Sequence, residues 1–215
     1  LKPGGAAMGV KAEQYFDLHA ASFLWSVQTK LFEAVPVVGR DRLEQGRGEM
    51  LIKAAGLVTV ADARGPFIDQ GALVRYLAEL VWFPSAALEP YIRWEAIDAR
   101  RARASISAGG TTATAEFSFD AEGRVVQVNA QRYLEGRLEE WEIPIRAWKR
   151  FGGVEVPSQG DVVWKLSGGD FNYFRWRLTA LERDVQKTFA ERPAGADSAP
   201  EPALAARGGG VRALQ

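Results

Sequence analysis

Closely spaced turn signals set the strongest limit on how this chain can fold. Glycine-containing turns recur after Tyr91, at Gly109–Gly110, Asp120–Gly123, Glu135–Gly136, Gly152–Gly153 and Gly168–Gly169. Between these turns apolar and polar residues alternate, which is typical of half-buried strands, and paired glycines favour tight hairpins. The pattern predicts a mainly β fold, with a curved antiparallel sheet or incomplete β-barrel of about eight to ten strands.

One helical signal interrupts the strands, between Asp69 and Phe83. Asp69 is a suitable N-cap because its carboxylate can accept the free N–H groups of a first turn, and Pro84 predicts the end of the helix. Arg75 and Glu79 lie four positions apart and are expected to pair on the helix surface. We expect the helix to close over the sheet with an apolar stripe made of Leu73, Tyr76, Leu77, Leu80 and Val81.

The part of the chain before the helix contains weaker signals. Phe23–Leu31 alternates like a half-buried strand, and Met50–Ala55 and Leu57–Ala63 are predicted to be two short strands. Ala12–Leu18 is compatible with a short helical turn. The segment upstream of the helix is therefore predicted to be mostly strand as well.

Composition divides the chain into one domain and two flanking segments. Residues 1–11 are predicted to be a loose lead-in, and residues 12–185 a single β-rich domain large enough to bury a core. Residues 192–215 are rich in alanine, proline and glycine and nearly lack large apolar side chains. Such a segment cannot bury enough surface to offset its ordering entropy, so we expect a disordered tail, and we expect deletion of residues 193–215 to leave stability unchanged.

Alanines concentrate on the inward faces of two neighbouring predicted strands. Small side chains there leave space that either a closely packed helix or a cavity must occupy, and the predicted helix is the natural occupant. The alanines are Ala102, Ala104, Ala108, Ala113 and Ala115.

Charge and composition narrow the classes of function. Lysine plus arginine and aspartate plus glutamate each total 27, unlike the basic excess of most nucleic-acid-binding proteins, so no nucleic-acid partner is expected. Without cysteine and with His19 as its single histidine, the chain argues against a zinc site or a catalytic triad, and we expect no metal and no cofactor. No apolar run approaches the about 20 residues of a transmembrane helix. Because the chain begins at Leu1 rather than methionine, its sequence leaves localisation open.

Aromatic and ionisable side chains near the predicted helix provide the candidates for a site. A carboxylate buried beside tryptophan can act as a general acid, which makes Glu79, Glu95, Asp98 and Glu142 possible acid–base residues. The conservative interpretation places the tryptophans in the core and the charges on solvated faces. The predicted ligand-binding residues are Trp25, Arg75, Glu79, Trp82, Trp94, Asp98, Arg132, Trp141 and Trp164.

Several segments carry a resemblance to known sequences. They are IDQGALVRYLAELVWFPSAAL, RWEAID, FSFDAEGRV, RFGGVEVPSQGDVVWKL and FNYFRWRL. Together they resemble a bacterial domain family of unknown function over residues 12–182, and the block ending in Trp-Phe-Pro is the most specific part. The resemblance implies no established activity, and it implies that residues are missing before Leu1. The order of strands and helix is similar to that of lipoprotein-carrier folds, which are curved half-barrels closed by helices over an apolar concavity.

Three functions remain in competition. The first is the binding of an apolar or lipid-like small ligand in a cavity between sheet and helix, with tryptophans as walls. The alternative is an enzyme acting on a small apolar or aromatic substrate in the same cavity, with Arg75, Glu79 or Asp98 as its polar groups. The third is a non-catalytic scaffold with a filled core. A cavity favours the first two functions over the third, and ionisable groups directed into that cavity favour an enzyme.

Overall fold

The first of two antiparallel sheets collects strands from both ends of the chain. The computed structural model describes residues 9–31, 34–185 and 210–214. The strands of the first sheet are β1 (Lys11–Asp17), β2 (Ser22–Leu31), β3 (Val35–Glu44), β4 (Arg47–Ala54), β5 (Val58–Arg64), β13 (Ala180–Arg183) and β14 (Gly210–Leu214). Their order is β13-β14-β1-β2-β3-β4-β5, so β5 lies at one edge and the strand from residues 210–214 lies inside the sheet.

The second sheet is a meander in which every strand pairs with its sequence neighbour. Its strands are β6 (Ile92–Asp98), β7 (Arg101–Ala108), β8 (Thr111–Phe119), β9 (Val125–Leu134), β10 (Arg137–Phe151), β11 (Val154–Leu166) and β12 (Gly169–Arg177). Over the described ranges neither sheet closes into a barrel. The predicted class, mainly β with one principal helix, is confirmed. Its strands exceed the predicted number and are divided between two seven-stranded sheets.

One α-helix, α1 (Pro66–Glu79), is present in the part of the chain that the structure describes. Proline suits the first helical position because its φ is already close to the helical value, and Gly65 precedes it with φ 109°. The start predicted at Asp69 is therefore wrong, because Asp69 lies within the first turn and makes no cap hydrogen bond. Short 3-10 helices, Leu80–Trp82 and Pro84–Leu88, follow on either side of Phe83.

The helix fills the space between the two sheets. It contacts β3, β4 and β5 of the first sheet and β7, β8 and β9 of the second. Leu73, Tyr76 and Leu77 are completely buried, as the apolar stripe predicted. Ala104 and Ala115 of the alanine-rich strands are also buried, at 0% and 1% exposure, on the sheet that the helix contacts through β7 and β8. The helix therefore occupies the space that these small side chains leave.

The structure differs from the sequence-based expectations near both ends of the chain. Ala12–Leu18, interpreted as a helical turn, belongs mostly to β1, in which Ala12, Gln14 and Phe16 are buried and their neighbours are not. Residues 192–209 and 215 of the expected tail lie outside the described residues. Residues 210–214 form β14, which pairs with β1 and β13.

Candidate ligand-binding site

Arg75 is the centre of a polar cluster between α1 and the first sheet. Its Nε donates to Glu79 Oε1 at 2.8 Å, its Nη1 to Asp41 Oδ2 at 2.7 Å and its Nη2 to Gln14 Oε1 at 2.8 Å. The guanidinium carbon lies 4.7 Å from the ring centroid of Trp25, within the range of a cation–π contact. The predicted Arg75–Glu79 pair therefore forms, but it lies inside the protein, where these partners compensate both charges.

Glu79 is held from two sides in this cluster. The residue is 8% exposed, and its Oε2 accepts a hydrogen bond from Gln14 Nε2 at 2.7 Å. Burial raises the pKa of the Glu79 carboxyl above its usual value, while the charge and hydrogen bond of Arg75 act in the opposite direction. Because the guanidinium of Arg75 stays charged at any working pH, the proton that can move in this pair belongs to Glu79.

A second cluster surrounds Arg132 on β9. The guanidinium carbon of Arg132 lies 5.1 Å from the ring centroid of Trp141, and its Nη1 lies 3.5 Å from the hydroxyl oxygen of Tyr173. Trp141 Nε1 donates to the same hydroxyl at 3.0 Å. The ring of Trp164 stacks on Tyr173 with the centroids 6.0 Å apart. Trp141 and Trp164 are 3% and 5% exposed, so a buried indole supports the arginine and a second one packs against its partner Tyr173.

The two clusters meet at a small pocket beside α1. The pocket has a volume of about 70 Å³ and is lined by both Arg75 and Arg132. The positive charge of Arg132 also opposes the rise in the pKa of Glu79. Gly71 allows this arrangement, because a Cβ at that position would lie 3.1 Å from Arg132 Nε.

A larger groove adjoins the pocket at the start of the helix. Its volume is about 310 Å³, and it is lined by Ala63, Arg64, Gly65, Pro66, Phe67, Ile68, Tyr133, Glu135 and Gly136. Phe67, Ile68 and Tyr133 line the pocket as well, so the two spaces share a wall. The rings of Phe67 and Tyr133 stack with centroids 4.3 Å apart, although Phe67 is 50% exposed. A charged pocket therefore continues into a groove with mostly apolar walls.

The remaining predicted site residues lie away from the pocket and groove. Trp82 is buried and meets Trp176 edge-on, with ring centroids 5.2 Å apart. Trp94 is 41% exposed on the edge strand β6. Asp98 is exposed and accepts from Arg101 Nε at 2.7 Å. None of these three predicted residues lines either space.

The other acid–base candidates also have structural partners. Glu95 is exposed and lies 3.3 Å from Arg103 Nη1. Glu142 Oε1 accepts from Asn129 Nδ2 at 3.1 Å, and neither glutamate lines the pocket or the groove.

Several residues of the site are absent from the sequence-based prediction. Gln14 is one of them. Its signal is present in the sequence, because it is a polar residue that alternates with Ala12 and Phe16, the apolar residues on the buried face of β1. Asp41 and Tyr173 gave no such signal, because each matters only through a partner distant in sequence. Tyr173, for example, contacts an arginine 41 positions away.

Two further findings concern metal ligands and helix length among the described residues. They contain no group of three or more His, Cys, Asp or Glu side chains arranged to hold a metal ion. Among their helices, none combines the length and apolar character required to cross a membrane.

The architecture is that of a mainly β protein in which one helix lies between two open sheets and borders the charged pocket and the adjoining groove. Residues 1–176 match the model of a family of unknown function, DUF6544. The chain therefore belongs to this family, and the matched residues include the helix, the pocket and the groove. No curated protein and no solved structure matches the chain.

Proposed function

We propose that the protein binds a small apolar or lipid-like ligand in the groove at the start of α1. The observation that carries the proposal is a volume of about 310 Å³ with the walls Pro66, Phe67, Ile68 and Tyr133. Sites for small molecules are concave, mostly apolar, and begin at about 300 Å³. A half-exposed phenylalanine stacked on a tyrosine gives an apolar ligand a flat surface from which to displace water.

The position of the groove also fits the packing of the helix. A lipoprotein-carrier-like protein would hold its ligand between the curved sheet and the helix. In this chain α1 packs against the alanine-rich strand β8, so the space available to a ligand lies at the end of the helix instead. The ligand would still contact both sheets, because Ala63 belongs to β5 and Tyr133 to β9.

Binding without catalysis is favoured over an enzyme by the state of Glu79. A general acid or base needs an oxygen that can reach its substrate. Glu79 offers Oε1 to Arg75 and Oε2 to Gln14, and it lines neither the pocket nor the groove.

Filling the groove tests the proposal. Nile red, a neutral apolar dye, is titrated into the parent protein and into Ala63→Trp, whose indole would occupy the groove. Ala96→Trp is the matched control, because Ala96 is exposed on β6 and outside both spaces. We expect saturable binding to the parent and the control and much weaker binding to Ala63→Trp.

Each variant is first checked for a native circular dichroism spectrum and a cooperative melt, since overpacking alone costs about 1–3 kcal/mol. If the folded Ala63→Trp variant binds the dye like the parent, the groove is not the site. If the parent binds no apolar probe, the proposal fails and the scaffold function takes its place.

A further inference from the structure

Arg132 differs from the other arginines of the pocket in having no carboxylate partner. Arg75 pairs with Asp41 and Glu79, and Arg42 pairs with Glu44. Among the described residues, no carboxylate oxygen lies within salt-bridge distance of Arg132. Within the described part of the chain, its one side-chain hydrogen bond is the 3.5 Å contact to the Tyr173 hydroxyl.

Arg132 is therefore the arginine of the pocket whose charge has no direct partner. Three arginines and two carboxylates line the pocket: Arg42, Arg75 and Arg132, with Asp41 and Glu49. Arg42 and Arg75 pair with Glu44, Asp41 and Glu79, whereas Arg132 pairs with no carboxylate of the described residues. A guanidinium carries five N–H donors, and most of those on Arg132 meet no acceptor in the described part of the chain.

We propose that Arg132 binds the acidic group, a carboxylate or a phosphate, of a ligand whose apolar part lies along Phe67 and Tyr133. This inference rests on the proposed function, because it assigns the head group of the same ligand. Arginine matches such groups with two parallel N–H···O bonds, which a point-charge donor does not provide. A half-buried guanidinium also loses less of this attraction to salt than an exposed one.

The surroundings of Arg132 hold the guanidinium ready for this role. Trp141 supports one side of the group, and Tyr173 accepts one of its N–H donors. Gly71 lets α1 approach the guanidinium closely, since a Cβ there would lie 3.1 Å from Arg132 Nε. Glycine within a helix costs about 0.5–1 kcal/mol relative to alanine. Tyr173 and Gly71 are positioning residues, and the contact with the ligand belongs to Arg132.

Matched ligands and variants test the head group. Decanoate, decyl phosphate and decanol are titrated by calorimetry into the parent, Arg132→Gln, Arg132→Lys and Arg93→Gln. Arg93 is the control, because it is exposed on β6 and forms no salt bridge with a described residue. We expect at least one of the two acidic ligands to bind the parent about 10- to 100-fold more tightly than decanol, the range of a charge-assisted hydrogen bond.

The variants are expected to separate charge from geometry. Arg132→Gln should remove this preference and leave the binding of decanol and Nile red unchanged, Arg132→Lys should retain part of it, and Arg93→Gln should match the parent. Gly71→Ala is a second variant that keeps the charge but displaces the guanidinium, and it should weaken the binding of the acidic ligand alone.

Three outcomes overturn one idea or the other. If both acids and decanol bind the parent equally, or if Arg132→Gln retains the preference, the head-group inference is wrong while the proposed function stands. If acetate or inorganic phosphate binds as tightly as the matching long-chain ligand and Nile red does not bind, Arg132 is an anion site and the apolar groove is not used. If no probe binds, both proposals fail.

Discussion

Asp69→Ala tests how firmly α1 is attached to the first sheet. Asp69 is 2% exposed; its Oδ1 accepts the backbone N–H of Gly48 at 2.7 Å, and its Oδ2 accepts Arg47 Nη1 at 3.0 Å. A Cβ on Gly48 would lie 2.6 Å from the carbonyl oxygen of Ile68. The first turn of the helix and β4 therefore meet backbone to backbone, and the carboxylate supplies the acceptor for a buried N–H group.

The expected loss follows from these contacts. Leaving the Gly48 N–H without an acceptor costs about 1–3 kcal/mol. The ion pair adds about 0–1 kcal/mol, because the Arg47 side chain is 68% exposed. Loss of a negative charge in the first helical turn adds about 0.3–1 kcal/mol through the helix dipole. The higher helix propensity of alanine reduces the total loss by about 0.5 kcal/mol. We therefore expect Asp69→Ala to lower the free energy of unfolding by about 1–4 kcal/mol.

Urea unfolding followed by tryptophan fluorescence measures this loss, and two further variants divide it. Asp69→Asn keeps one oxygen acceptor for Gly48 and should cost about half as much. Arg47→Ala removes only the exposed ion pair and should cost less than about 1 kcal/mol. If Asp69→Ala costs no more than Arg47→Ala, the buried hydrogen bond does not attach the helix and the reasoning is refuted.

Two other predictions concern the same helix. Leu77→Ala should cost about 2–5 kcal/mol in urea unfolding, because Leu77 is fully buried between the sheets, and a loss below about 0.5 kcal/mol would contradict that packing. Because the pKa of Glu79 is raised in the folded state, the stabilisation from its protonated form is complete below the ordinary value of 4.5 and is lost as pH rises through the folded value. The stability of the parent relative to Glu79→Gln should therefore fall in a series of urea melts as pH rises from 4.5 toward the raised folded value. A difference that rises or stays constant over this range would show that burial does not control this carboxyl.

Local signals account for what the sequence predicted about the fold. The glycine turns of the second sheet specify hairpins through two or three adjacent residues, and the helix stripe needs only its own spacing. The start of α1 was predicted at the wrong residue, because Pro66 and Asp69 are both local signals for a helix start. Asp69 looks like a cap, yet Pro66 begins the helix and Asp69 bonds β4, a partner that the sequence does not reveal.

The site was predicted only in part because its contacts are remote in sequence. Arg75 and Glu79 could be found together, since they are four positions apart on one helix. Gln14 reaches Glu79 across 65 positions and Asp41 reaches Arg75 across 34. Nothing in a single sequence specifies which strand faces which turn of the helix. Tryptophans were equally ambiguous: Trp141 supports Arg132, whereas Trp82 packs on Trp176 away from the pocket.

The strand β14 connects the C-terminal segment to the candidate site. It pairs with β1 so that Ala213 lies opposite Gln14, and Gln14 bonds both Arg75 and Glu79. Composition led us to expect that removing residues 193–215 would leave stability unchanged. Strand pairing, however, uses backbone N–H and C=O groups, which composition does not reveal.

Deleting residues 210–215 should therefore lower the Tm and also weaken the binding of Nile red and decanoate. Without β14, one edge of β1 is unpaired and β13 loses its neighbour in the sheet. Val211→Pro combined with Ala213→Pro should have a similar effect, because proline removes ladder donors from a strand that lies between two others. Replacing the same residues by threonine is the matched control, since threonine suits a strand. A lower Tm with unchanged binding would mean that β14 stabilises the sheet without ordering Gln14. If both the Tm and binding are unchanged, β14 does not contribute to the folded protein.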